Sequence, residues 1–138
     1  MPNIKELMAV NGDAVRRIDI DGPDAEWDGF GRLVHNGELF TGEAVTVEDG
    51  KTLALTTYQD GRAHGPQWEI YSDGTKRHDG MFDHGNTVGE WRAWFPNGRP
   101  QSNQVFDRWG DLRKTQQWDE YGGVLEDQEY DGTHFGEW

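Results

Sequence analysis

Five histidines and 26 acidic side chains, with no cysteine, are the reactive inventory of this 138-residue chain. His78 and His84, taken with Asp79 and Asp83, hold the nitrogen and carboxylate donors that a divalent metal uses. Such ligands would have to meet across strands in register, and no second His or carboxylate recurs at a matching offset. Solvated turn residues are therefore expected at His35, His64, His84 and His134, with no metal site. Asp60, Asp73 and Asp131 each precede a glycine, but the nonapeptide pattern of calcium-binding β-rolls is absent. Aspartate in such turns serves its own backbone hydrogen bonds. Without cysteine there is no thiolate nucleophile, and neither Ser72 nor Ser102 has a His-Asp context. No phosphate loop, nucleophile elbow or zinc-protease motif appears, and no carboxylate pair stands out for acid–base work. The expectation is a protein that is not an enzyme and takes no cofactor.

Binding chemistry is the remaining candidate. The chain has seven Trp, six Phe and four Tyr. Tyr71 and Trp94 fall on the opposite parity from Trp68 and Trp91, so one of the two sets is expected to be partly exposed. An open aromatic face rimmed by carboxylates is suited to holding a protein partner. The residues expected to do so are Tyr71, Trp94, Trp118, Asp119, Glu120, Tyr121, Glu126 and Asp127, with Glu69, Asp73, Glu90 and Glu129 extending the rim. Thirteen basic against 26 acidic residues leave a formal charge of −13. That argues against nucleic acid or an anionic membrane as a direct partner, since both select clustered Lys and Arg. It favours a cationic protein, whose encounter would be steered electrostatically.

The elements that must position these residues follow a 24-residue period. Val34, Tyr58, Phe82, Phe106 and Tyr130 keep it, as do Gly37, Gly61 and Gly85, and Gly50, Gly74, Gly98 and Gly122. Several markers holding one spacing define a repeat. A later copy is degraded, with Trp109 at the first turn-glycine position and Arg113 at the second. Within each copy, apolar and polar residues alternate between glycine-containing turns, as Leu53, Leu55 and Thr57 do. That is the mark of antiparallel hairpins. Asp60-Gly61, Asp73-Gly74 and Asn97-Gly98 are expected to make tight turns at positive φ. The fold expected is all-β: a single elongated, twisted antiparallel β-meander of repeated hairpins, about eleven strands long. Residues 1–31 would form an atypical capping segment and residues 32–138 the repeats, with equivalent rings stacked in a ladder along one face. No apolar leader or membrane-length run is evident, so a cytoplasmic protein is expected.

Tyr58-x-Asp60-Gly61-x-x-His64-Gly65-Pro66-x-Trp68, Tyr71-x-Asp73-Gly74 and Gly89-Glu90-Trp91-x-x-Trp94-x-x-Asn97-Gly98 resemble MORN repeats, in the variant of the bacterial YwqK-family antitoxins. The lead-in Leu39-Phe40-Thr41-Gly42-Glu43 is similar to that family as well. The resemblance implies an immunity or antitoxin protein that neutralises a cognate toxin domain, often a nuclease or deaminase. It implies no catalytic residue. MORN-like hairpins also serve as membrane-associated or interaction scaffolds, which is the alternative role.

Overall fold

The computed structural model describes residues 5–8 and 14–131. Its strands are β1 Lys5–Met8, β2 Ala14–Asp19, β3 Ala25–Trp27, β4 Leu33–His35, β5 Glu38–Leu39, β6 Gly42–Glu48 and β7 Lys51–Gln59. They continue as β8 Arg62–Ile70, β9 Lys76–Asp83, β10 Asn86–Trp94, β11 Pro100–Phe106, β12 Leu112–Trp118 and β13 Val124–Glu129. The chain is all-β, and from β6 to β13 each strand pairs antiparallel with the next. The 24-residue period is one hairpin of this meander.

A single sheet does not form. Ten strands make the main sheet in the order β1-β2-β6-β7-β8-β9-β10-β11-β12-β13, and β3-β4-β5 make a second. The cause is the one parallel pairing among the described residues, Arg17 opposite Glu43 through Asp19 opposite Val45. A parallel pair requires the chain to return to its starting end, which takes a crossover of a dozen or more residues. The segment between β2 and β6 is that crossover, and it folds into the small sheet. The β3–β4 pairing runs across position 32, so the capping segment and the first repeat share one structure.

The crossover also makes the core. Ile18, Leu33, Phe40, Ala44 and Tyr58 are buried together, with Ile20 and Ala25 against them. Backbone bonds lock the layer in place: Leu33 N–H donates to Gly61 O and Gly61 N–H to Phe40 O, both at 2.8 Å. Burying side chains of this size contributes about 1.5–3 kcal/mol each. Tyr58 meets Trp27 at 6.2 Å and Phe40 at 6.4 Å, while Phe82 meets Trp91 at 4.9 Å. The expected ring ladder is therefore absent. Equivalent positions lie two strands apart, roughly 9.6 Å, beyond ring-contact distance.

The hairpin turns take two forms. Asn36, Asp49, Asp60 and His84 adopt φ of 47–52° and each is followed by a glycine at φ 77–89°, the tight hairpin turn. The other form spans five residues. At Tyr71–Thr75, Phe95–Arg99, Asp107–Asp111 and Asp119–Gly123 the first N–H donates to the last carbonyl, and a glycine alone takes positive φ. Asp73 and Asn97 thus do not take the positive φ expected of them. Their side-chain oxygens accept the Thr75 and Arg99 N–H groups instead, and the Thr75 bonds hold the Asp73 carboxyl below its ordinary pKa. The degraded copy has switched forms: the five-residue turn moves the glycine to Gly110, one place past Trp109.

Two predictions follow from packing. Gly80 lies directly beneath the Trp91 ring, whose Nε1–H donates to Met81 O at 3.1 Å. A Cβ there would fall inside the ring's van der Waals surface, so Gly80→Ala should lower stability by about 1–3 kcal/mol in urea unfolding. His35 is buried, accepts Arg16 Nη2 at 3.4 Å and packs edge-on to Phe40. Desolvation first, then the Arg16 charge, hold its pKa below the usual imidazole value, against a smaller opposing pull from Asp24. The unfolded chain then binds the extra proton, so this contribution is complete above about pH 6.5 and is lost on acidification below it. The stability–pH curve of His35→Gln should be flatter than that of the wild type on this acid side, and superimposable curves would refute the assignment.

Candidate protein-binding surface

Beyond Tyr58 the sheet is one layer thick. Among the described residues that follow, Asp107 and Thr115 are the only buried side chains larger than glycine. Both faces of β8 to β13 are thus half open.

On one face, a cross-strand row runs Leu55, Trp68, Asp79, Arg92, Asn103, Gln116 and Asp127. Trp68, Ile70, Met81 and Val88 floor an open groove of about 800 Å³ there. The polar groups beside it are paired with one another. Asp79 Oδ2 receives Lys76 Nζ at 3.2 Å and Arg92 Nη2 at 3.1 Å. Arg92 Nε lies 3.7 Å from Glu90, and on the opposite face Glu69 Oε2 lies 2.8 Å from His78 Nε2.

Tyr71 and Trp94 are half-buried, and cations of their own sheet occupy their rings. Lys76 and Arg92 sit 5.5 and 5.3 Å from the Trp94 ring centroid, and Arg77 sits 5.8 Å from that of Tyr71. The Tyr71 hydroxyl donates to Trp94 O at 2.7 Å, tying one five-residue turn to the next. Asn97 Nδ2 continues the chain of turns by donating to Glu120 O at 3.3 Å. Tyr71 and Trp94 therefore work within the sheet margin, and Tyr71→Phe should cost about 1 kcal/mol of unfolding free energy.

The hairpin of β12 and β13 is different. Asp119 is a turn residue, its Oδ1 accepting the Tyr121 and Gly123 N–H groups at 2.9 and 2.8 Å. Trp118 and Glu120 line a shallow cavity of about 530 Å³ with Phe95 and Leu125. Tyr121 is 81% exposed, and Val124 and Leu125 are each 67% exposed. Glu120, Glu126, Asp127 and Glu129 lie on the same hairpin, and among the described residues none of these four side chains has an ion pair or hydrogen bond. On β8 to β10, Glu69, Asp79 and Glu90 each face an Arg; the acids Glu120, Glu126, Asp127 and Glu129 of the last hairpin do not.

Of the residues singled out in the sequence, Trp118, Asp119, Glu120, Tyr121, Glu126 and Asp127 share this hairpin, while Tyr71 and Trp94 lie further back along the same margin of turns. Sequence reasoning missed Val124 and Leu125. Two adjacent apolar residues in a strand point to opposite faces, and neither has a ring partner one repeat away to signal it. The metal set imagined for His78, Asp79, Asp83 and His84 is not assembled, because His78 faces Glu69 and Asp79 faces Lys76 and Arg92. His134 lies outside the described residues. Among the described residues no helix is long and apolar enough to cross a membrane. No protein-family model matches the chain, and no curated protein or solved structure matches it either.

Proposed function

We propose that this chain binds and neutralises a basic protein, as an antitoxin or immunity protein in the cytoplasm, by laying its last hairpin over the working surface of a toxin domain. One observation carries the reading. Among the described residues, Glu120, Glu126, Asp127 and Glu129 stand without ionic partners on the hairpin that exposes Tyr121, Val124 and Leu125. A hairpin that exposes apolar side chains beside unneutralised acids is complementary to an apolar patch rimmed by Lys and Arg. The net charge of −13 would speed that encounter, and the YwqK-type repeat supports the same role. Exposed acids without partners contribute little to folding, so their clustering is better accounted for by binding than by stability.

The natural test is the protein encoded beside this one. It should bind tightly, and the combined change Glu120→Lys, Glu126→Lys, Asp127→Lys and Glu129→Lys should slow association by about tenfold or more while leaving the urea midpoint in place. Affinity should also fall between about 50 and 500 mM salt. Association unaffected by both manipulations would sink the proposal.

A further inference from the structure

On the opposite margin of the sheet, two neighbouring hairpin turns bring together side chains that lie 20 residues apart. His64 sits in β8, Asp83 ends β9 and His84 opens the turn into β10. Gly85 N–H donates to Ala63 O at 2.7 Å, and His84 N–H donates to His64 Nδ1 at 3.0 Å, which docks this turn on β8. The two imidazole centroids are then 4.5 Å apart. Asp83 Oδ1 lies 2.6 Å from His84 Nδ1 and 3.4 Å from His64 Nδ1. One donor atom from each of the three residues falls within 4.8 Å of the others.

We infer that His64, Asp83 and His84 form a binding site for a divalent transition-metal ion of the zinc type. Three features support this. Asp83 differs from Asp79 in that, among the described residues, its ionic partners are the two imidazoles and no Lys or Arg. Its charge is therefore available to an ion. His84 occupies a turn position that Asn36, Asp49 and Asp60 fill elsewhere with the same φ, and tight turns favour Asn or Asp there. Histidine also tolerates this φ, and among the four tight turns this is the one that carries an imidazole. Finally, the side chains are 34%, 46% and 75% exposed, so an ion reaches them from solvent.

Two nitrogens and one carboxylate oxygen suit a borderline ion, whereas calcium and magnesium select six or more oxygens. Binding replaces the His84 N–H bond to His64 Nδ1, and at this exposed turn water can take over that N–H. Three protein ligands leave a fourth position for water or a donor from another molecule.

Calorimetric titration of the full chain with zinc, in excess calcium and magnesium, tests the site. One ion should bind per chain, and the ring signals of His64 and His84 should move in NMR spectra while those of His78 stay fixed. His84→Asn restores the favoured turn residue, so it removes a ligand without disrupting the hairpin; His64→Gln removes the second. Each should weaken zinc binding by about tenfold or more, with an unchanged urea midpoint for His84→Asn, which keeps the backbone N–H bond to His64, showing that the loss is not one of fold. Absence of zinc uptake by the wild type, or uptake unaltered by both variants, would overturn the site.

Discussion

The whole ribbon depends on one buried junction. Phe40, Leu33 and Ile18 pack under Tyr58, and the Gly61 turn is bonded to both Leu33 and Phe40. This is the place where two layers of structure cover each other. Past it, each hairpin is held by the backbone ladder and side chains of its immediate neighbours, as in other repeat arrays. A one-layer sheet has no second layer to bury its rings, so it shields them locally. Trp91 folds over Gly80, Trp94 lies between Lys76 and Arg92, and Tyr71 lies against Arg77.

That local shielding divides the surface by charge. Through β8, β9 and β10 the acids Glu69, Asp79 and Glu90 face basic or imidazole partners on the same or adjacent strands. Each such exposed pair is worth about 0–1 kcal/mol, so pairing does little for stability. Its larger effect is on the outside field: the middle of the ribbon is nearly neutral locally, and the excess negative charge lies on the elements before it and on the last hairpin. The two turn margins diverge in the same way. One carries the linked five-residue turns that lead to Tyr121, and the other carries the tight turns that bring His64 to His84.

Much of this was legible in the chain itself. A 24-residue period, alternating side chains and Asx-Gly turns act over ten residues or so, and they specify hairpins wherever they occur. Leu53, Leu55 and Thr57 fell in one strand as read, and Asp60-Gly61 made the tight turn expected. Asp73 and Asn97 departed from expectation because an Asx side chain can cap a turn's N–H without taking positive φ itself; only the length of the closed turn separates the two cases.

Composition and periodicity by themselves determined an all-β meander, its repeat length and its strong negative charge. Tertiary structure decided the rest: the parallel β2–β6 pairing that generates a second sheet, which acids find cations, and the meeting of His64 with Asp83 and His84. The reason is range. Turn and strand preferences are properties of neighbouring residues, whereas a crossover and a cross-strand register bring together groups about 20 or more positions apart, and spacing along the chain does not reveal which of them will face each other.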